Sequence, residues 1–203
     1  MKITAIKQQE RLKNRYSLYV DEKYAFSLSA DALLEERIIP GLELSEQQLN
    51  TYKKLSADDK AYGLALAYIA RRIRSEGELT DYFQRKGYDE ALAHQLMERL
   101  RRTGLVNDNE FAEAWVRNRR LLRYSSTRRL TQELRQKHVA DEVIEQALRS
   151  DETDEHAMLK ELVARKRKLS KYQDNLKLMQ YLARQGFGYD AIKHALVHEE
   201  LED

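Results

Sequence analysis

The chain has 203 residues, of which 42% are hydrophobic and 34% are charged, a composition that supports a packed core but leaves much exposed surface. One proline and seven glycines disfavour an all-β fold, and the lack of cysteine excludes disulfides, thiolate metal sites and cysteine nucleophiles. No apolar run approaches the length of a membrane span and the N-terminus lacks a signal-peptide core, so we expect a mostly helical cytoplasmic protein that does not enter a membrane.

The first thirty residues alternate between apolar and polar side chains, as strands do. Alternation at 3–7, 16–20 and 24–28 predicts a three-stranded meander, or a hairpin with a partner strand. A short helix is expected next, and Ser45 would then cap a further helix that ends near Lys54. We interpret this segment as a β-rich extension with short helices.

Beyond this segment the apolar period becomes helical, and an internal repeat emerges. A leucine followed four positions later by an apolar residue occurs at Leu79, Leu130 and Leu178. A preceding helix recurs at matching positions, with Trp115 in its middle copy. The sequence therefore predicts a mainly α fold of three tandem three-helix repeats after the extension. The predicted domains are 1–55 for the extension and 56–107, 108–150 and 151–203 for the repeats.

The second helix of each repeat begins differently. The segments 75–78 and 174–175 are conventional helix starts, with serine or acidic residues in favourable places. The segment 125–129 instead puts Arg128 and Arg129 at the positive end of a helix dipole. Free N–H groups, hydroxyls and two guanidiniums at one helix start make a phosphate-binding arrangement, so we predict an anionic partner here. The alternatives are a solvated basic turn, or one paired with acids of a neighbouring repeat.

Basic residues accumulate around this turn and at the corresponding places in the other repeats. Residues 71–137 hold sixteen basic and ten acidic side chains, whereas 138–203 hold ten and fourteen. On a helical wheel Phe111, Trp115 and Leu122 form a core face, with arginines to one side of it. Stacking of the repeats would align the basic clusters into a stripe that suits a polyanion or an acidic protein surface. The predicted binding residues are Arg117, Arg119, Arg120, Arg123, Arg128, Arg129, Arg135, Arg71, Arg72, Arg74, Arg165, Lys166 and Lys168.

The sequence carries no recognisable catalytic motif. The sequence contains no glycine-rich phosphate loop, no HExxH motif and no Cys/His ligand cluster. We therefore predict no enzymatic activity, no metal site and no cofactor.

Three stretches resemble the regulatory protein RecX family. They are SEGELTDYFQRKGYDE in the first repeat, FAEAWVRNRR followed by RRLTQELRQKHV in the second, and the N-terminal extension, which is similar to that of some members. The sequence departs from the family pattern at Tyr124–Ser125, where glycine commonly follows the aromatic residue, and at His138, where glycine is usual.

The resemblance implies a non-enzymatic regulator of recombination, DNA repair and the SOS response. Its expected partners are the RecA recombinase and the RecA–single-stranded DNA filament, with direct contact to DNA as a further expectation. It implies an elongated, curved stack of repeats, which we expect to be monomeric. It also implies that the protein inhibits filament extension, ATPase activity and strand exchange. Carried over by position, the arginines of the second repeat are the first choice for contact with the filament or with DNA.

Two other functions fit the residues. One is a stand-alone helical protein that reads duplex DNA with a helix-turn-helix-like unit. The other is a helical scaffold that binds only protein, in which the arginines meet carboxylates.

Overall fold

The N-terminal strands form an antiparallel sheet in a computed structural model that describes residues 1–202, with side chains described as far as residue 197. Strands β1 (Ile3–Gln8), β2 (Arg15–Val20) and β3 (Lys23–Ser29) pair in the order β1-β2-β3. The predicted meander is therefore confirmed. Asp21 and Glu22 join β2 to β3 with φ of +47° and +69°, the backbone of a hairpin turn whose twist matches that of the strands.

Two helices cover this sheet. Helix α1 (Ala30–Glu35) is capped by Ser29, and α2 (Glu46–Ile69) begins at Ser45 with a capping box. The predicted end of the second helix near Lys54 is wrong, because α2 continues for 24 residues without a break. The predicted 55/56 boundary thus falls inside a helix.

Polar residues in the middle of α2 explain this difference. Ser56 and Asp59 have the composition of a turn, but both bond to the edge of β3. The Ser56 hydroxyl donates to the carbonyl of Ser27 at 2.6 Å, and Asp59 accepts the N–H of Ser29 at 2.8 Å. Asp59 also forms a buried ion pair with Arg15 at 2.8 Å. These long-range bonds satisfy an exposed strand edge, which a reading of the local sequence cannot detect.

The chain divides into two compact units. One contains Met1–Arg72 and Tyr88–Arg99, that is, the sheet, α1, α2 and most of α4 (Glu90–Arg102). The other contains Ile73–Gly87 and the chain from Leu100 onward. The helices of this second unit are α3 (Glu76–Arg85), α5 (Asp108–Arg123), α6 (Thr127–Arg135), α7 (Asp141–Arg149), α8 (Glu155–Arg167), α9 (Asn175–Arg184) and α10 (Tyr189–Glu202), with a 3-10 helix at Ser170–Tyr172.

The repeat pattern marks the core correctly. The predicted residues of the second helices are at most 1% exposed; they are Leu79 and Phe83 on α3, Leu130 and Leu134 on α6, and Leu178 and Leu182 on α9. Helices α5–α7 and α8–α10 each surround an apolar cluster of their own. The mainly helical fold with a small N-terminal sheet is as predicted. None of the helices within residues 1–202 is long and apolar enough to cross a membrane.

Leu122 does not belong to the core. It is 68% exposed, although its helical phase matches that of Phe111, which is buried. Neighbouring helices cover α5 only as far as Arg120, and the chain then turns at Tyr124, with φ of +53°. Periodicity therefore identifies the correct face of α5 but not where the cover on that face ends.

Candidate anion-binding site

The second helices of successive repeats meet end to end. The start of α3 lies against the end of α6, where the Ser75 hydroxyl donates to the carbonyl of Lys137 at 2.7 Å. The start of α6 lies in the same way against the end of α9, where the N–H of Ser126 donates to the carbonyl of Gln185 at 3.2 Å. We call these contacts the first junction and the second junction.

At each junction, a carboxylate from the first helix of the next repeat caps the start of the second helix. Asp108, the first residue of α5, accepts the N–H of Glu76 at 2.8 Å. Glu155, the first residue of α8, accepts the N–H of Thr127 at 2.7 Å. Negative charge at this position stabilises a helix dipole. The first residue of one helix thus completes the cap of another.

This arrangement changes the prediction for the start of α6. The phosphate site expected there requires free N–H groups, but the protein itself uses two of them. Glu155 takes the N–H of Thr127, and the Ser126 hydroxyl takes that of Arg129 at 3.2 Å. Burial alone would raise the pKa of Glu155, but hydrogen bonds from Thr127 and Arg120 outweigh it and hold the pKa below its ordinary value. Glu155 is therefore an ionised internal anion at the place where an external one was predicted.

Arg129 has a structural role at the second junction. Its guanidinium donates to the carbonyl of Arg184 and, at 3.1 Å, to the amide oxygen of Gln185, both at the end of α9. A cation is favourable at that end of a helix dipole. The arginine that is poorly placed for its own helix is well placed for the neighbouring helix.

Arg120 is an internal cross-link. It is only 9% exposed, and it pairs with Asp151 at 2.7 Å and with Glu155 at 3.1 Å. It also donates to the carbonyl of Ser125 and to the Thr127 hydroxyl, both at 2.8 Å. These bonds occupy the guanidinium, so Arg120 is not available to a partner and does not belong to the proposed surface.

The corresponding residue of the next repeat supports this role. Arg167 on α8 donates to the carbonyls of Tyr172 and Gln173, both at 3.0 Å, in the loop that precedes α9. Arg120 similarly holds the loop that precedes α6. An arginine that fixes the loop before the second helix is thus a shared device of the two repeats.

Five of the predicted basic residues do converge. They line a concave groove of about 540 Å³ to which α5, α6, α8 and α9 contribute. We call it the basic groove, and its basic residues are Arg119, Arg123, Arg129, Arg165 and Lys166. Among its other lining residues are Leu122, Tyr124, Ser125, Glu133, Tyr181 and Gln185.

Glu133 is the acid of this groove. It accepts hydrogen bonds from the indole N–H of Trp115 at 2.9 Å, from Arg119 at 2.7 Å and from Arg129 at 3.0 Å. Burial by itself would raise the pKa of Glu133, but these hydrogen bonds and the charge of Arg119 outweigh it and lower the pKa. Glu133 is therefore ionised and shared between two guanidiniums, which leaves the groove strongly positive.

Two further cations of the groove pack on aromatic rings. The guanidinium of Arg165 lies 5.7 Å from the ring centre of Tyr124, and the Lys166 ammonium lies 4.7 Å from that of Tyr181. Cation–π contacts of this kind contribute about 0.5–1 kcal/mol at exposed sites. They orient the charges without neutralising them. Arg123 is exposed and has no carboxylate partner in the part of the chain that the structure describes.

The other predicted residues lie elsewhere. Arg117 lines a different concavity of about 870 Å³ whose charged lining is mainly acidic. Arg128 and Arg135 share a separate surface of α6, where Arg135 pairs with Asp141 at 2.7 Å. The rest lie outside these concavities: Lys168, exposed at the end of α8; Arg71 and Arg72, exposed in the unit of the sheet; and Arg74, half-buried in the other unit. The predicted arginines of the second repeat thus do not form a single surface.

Sequence reasoning missed three features of the groove. These are the hydrogen bonds of Glu133 to two arginines, the aromatic ring of Tyr181 and the buried hydroxyl of Ser125. One signal was present, because Glu133 is the single acid among eight basic residues at 117–137 and lies four residues after Arg129. Across the residues that the structure describes, no group of three or more His, Asp or Glu could hold a metal ion.

Family models match four stretches of the chain. One is described as the regulatory protein RecX N-terminal domain and matches residues 1–45. The others are described as the first, second and third three-helix domains of RecX and match 61–100, 107–148 and 153–196.

Relatives named regulatory protein RecX match most of the chain. The protein from Bacillus licheniformis is 31% identical over 206 residues, which cover 99% of this chain and 78% of that protein. The Lactobacillus johnsonii protein is 34% identical over 146 residues, 72% of this chain but only 54% of that longer relative. A crystal structure of regulatory protein RecX superposes with a TM-score of 0.71 and 27% identity, over 95% of this chain and 97% of the other. The chain belongs to the RecX family of regulatory proteins.

Proposed function

We propose that this protein binds the RecA recombinase and the RecA–single-stranded DNA filament through the basic groove, and so inhibits filament extension, ATPase activity and strand exchange. It would act in the cytoplasm as a non-enzymatic regulator of recombination, DNA repair and the SOS response. The observation that carries the proposal is the groove itself, where five cations face one carboxylate. Membership of a family of regulatory proteins supports a regulatory outcome of that binding.

The test measures ATP hydrolysis by RecA on single-stranded DNA with increasing amounts of this protein. Wild-type protein is expected to inhibit at stoichiometric ratios. Arg123→Glu combined with Arg165→Glu reverses two exposed charges of the groove and should weaken inhibition at least tenfold, since loss of each charged contact costs about 1.5 kcal/mol or more. We avoid Arg129 as a test site because its substitution would also disturb the second junction.

A matched control uses Arg85→Glu combined with Arg149→Glu. These arginines are exposed and lie in the last turns of α3 and α7, just as Arg123 and Arg165 lie in the last turns of α5 and α8. Both double variants therefore make the same change in net charge and in helix-end electrostatics. Equal loss of inhibition in the two would exclude the groove as the binding surface. Absence of inhibition by the wild type would reject the proposed function itself and favour a stand-alone DNA-binding protein or a protein scaffold.

A further inference from the structure

Ser125 lies in the wall of the basic groove with an unusual lack of partners. It is fully buried, and its hydroxyl has no hydrogen-bond partner among the described residues. A buried polar group left unpaired destabilises a fold unless a ligand or water satisfies it. The neighbouring Ser126 is equally buried but uses its hydroxyl to cap α6. Ser125 therefore has no capping role that would account for its hydroxyl.

The backbone around this hydroxyl is held firmly. Arg120 donates to the carbonyl of Ser125, and the next residue bonds through its N–H to Gln185. The backbone of Ser125 thus has a fixed position among the residues that line the groove, which include Arg123 and Arg165. A hydroxyl without a partner, in a groove that also holds guanidiniums without carboxylate partners, is an arrangement that accepts an oxyanion.

We infer that the basic groove is a phosphate subsite for single-stranded nucleic acid, in which Ser125 donates to a backbone phosphate held by Arg123, Arg165 and Lys166. The inference deepens the proposed function and rests on it for the choice of a nucleic acid as the anion. In this inference the groove contacts the DNA strand itself and not the recombinase that coats the strand.

The size of the groove selects a single strand. A volume of about 540 Å³ is typical of a pocket for a small molecule. One or two nucleotides fit such a space, whereas the face of a duplex does not. A single strand can extend one phosphate into the groove because its backbone is flexible.

The aromatic residues indicate that the strand is recognised without regard to its bases. Lys166 lies over the ring of Tyr181, whose centre is also only 5.2 Å from that of Tyr172. Arg165 lies over Tyr124, whose hydroxyl bonds to Glu161 at 2.9 Å. These rings are engaged within the protein, so bases do not find the open stacking platforms of typical single-strand binders. Binding is therefore to phosphate and is indifferent to sequence.

The experiment measures binding of fluorescein-labelled oligo(dT) of about twelve nucleotides by fluorescence anisotropy, with the full chain and no recombinase. Ser125→Ala should weaken binding about tenfold, the effect of one hydrogen bond to a charged acceptor. Its urea unfolding midpoint should not fall, because the variant removes an unpaired hydroxyl. Arg123→Ala should reduce the slope of log K against log salt by about 0.7, the value for one phosphate of a single strand.

Four comparisons make the outcome decisive. An abasic oligonucleotide of the same length should bind as oligo(dT) does, and a duplex should bind more weakly. The exposed Ser150 provides a matched control, because Ser150→Ala should leave binding unchanged. Equal binding by Ser125→Ala and wild type, equal binding of duplex, or tighter binding of polyglutamate than of oligo(dT) would each overturn the inference, the last in favour of an acidic protein segment.

Failure of this inference can be told apart from failure of the proposed function. Undiminished inhibition of the RecA ATPase by Ser125→Ala, together with unchanged binding of naked strand, would reject the phosphate subsite but leave the regulator in place. Binding of naked strand without any effect on RecA would reject the regulator but leave the subsite.

Discussion

The two junctions share a backbone plan but differ in charge. At both, a serine caps the second helix, and a carboxylate from the first helix of the next repeat accepts the first N–H. They differ at the third helical residue, which is Glu78 at the first junction and Arg129 at the second. Glu78 faces the ammonium of Lys137 at 2.5 Å, whereas Arg129 faces carbonyl and amide oxygens at the end of α9. The charge of a helix start is therefore set by what lies across the junction as well as by its own dipole.

The concavities beside the two junctions also differ in the charge of their lining residues. A concavity of about 510 Å³ beside the first junction is lined by Glu76, Asp81 and Asp108, with His138 as its one potentially cationic residue. The basic groove beside the second junction has five cations and one acid. The position of Glu78 at the first junction is taken by Arg129 at the second, and the partner Lys137 is replaced by Gln185. This exchange accompanies the change from an acidic to a basic surface.

The largest expected effect breaks the second junction sterically. Gly186 has φ of +92°, and a Cβ added there would lie 2.3 Å from the Ser126 hydroxyl and 2.8 Å from the Arg129 Cβ. Gly186→Ala combines a left-handed backbone penalty of about 1–2 kcal/mol with overpacking of about 1–3 kcal/mol. We expect the free energy of unfolding to fall by about 2–5 kcal/mol. Urea unfolding followed by the fluorescence of Trp115, the single tryptophan, reports on this unit of the chain.

Two other glycines separate these contributions. Gly87 also has positive φ, at +71°, but an added Cβ would have open space, so Gly87→Ala should cost only about 1–2 kcal/mol. Gly188 has neither feature, and Gly188→Ala should change the free energy of unfolding by less than about 0.5 kcal/mol. A Gly186→Ala variant no less stable than Gly87→Ala would contradict the close contact at the second junction.

An intermediate effect comes from transplanting one junction into the other. Glu78→Arg places a guanidinium against Lys137 in a site where the native glutamate is only 8% exposed, and should cost about 2 kcal/mol. Adding Lys137→Gln reproduces the pair that Arg129 and Gln185 form at the second junction. The double variant should recover about 1 kcal/mol of the free energy of unfolding that Glu78→Arg loses. Urea unfolding followed by Trp115 fluorescence measures this recovery as the coupling energy of a double-mutant cycle. Strictly additive costs would show that the charge at this position does not depend on its partner.

Much of the fold follows from local patterns in the sequence. The period-2 alternation predicts the three strands, and the recurring leucines at Leu79, Leu130 and Leu178 predict the buried faces of the second helices. Both patterns reflect which side of an element meets the core, and neighbouring residues in the chain carry that information. The same patterns lead to errors where a partner is distant. The continuation of α2 past Lys54 depends on bonds from Ser56 and Asp59 to β3.

The candidate site could be predicted only in part, for the same reason. The sequence identifies Arg119, Arg123 and Arg129 as an unusual basic cluster, and these three do line the basic groove. It does not reveal that Arg120, adjacent to Arg119, points inward to Asp151 and Glu155, which lie 31 and 35 positions away. A dipole argument confined to one helix likewise cannot include the end of α9, which lies opposite Arg129 only after folding.

The smallest expected effect distinguishes the capping carboxylates by pH. Burial raises the pKa of Asp108, and the nearby charge of Glu76 adds to this rise, although the N–H of Glu76 and the charge of Arg101 oppose it. The pKa of Glu155 is lowered instead, because its bonds to Thr127 and Arg120 outweigh burial. Glu155 therefore stabilises the fold above its unfolded-state pKa, and this contribution is lost as the pH falls through its folded value. Asp108 has the opposite sign: its contribution is present below its unfolded-state pKa and is lost as the pH rises through its folded value.

Isosteric amides test this contrast. At neutral pH, Glu155→Gln should lower the free energy of unfolding by about 1 kcal/mol, a figure reduced for its partial exposure, and the loss should shrink as the pH falls towards about 4. Asp108→Asn keeps an oxygen for the N–H of Glu76 and removes the repulsion, so it should be neutral or slightly stabilising at the same pH. Urea unfolding of both variants from about pH 7 to about pH 4, followed by Trp115 fluorescence, measures the two effects. The two amides should differ because the guanidinium of Arg120 pairs with the charge of Glu155, so that removing this charge costs stability. Equal destabilisation by the two amides at neutral pH would mean that the two junction carboxylates are equivalent.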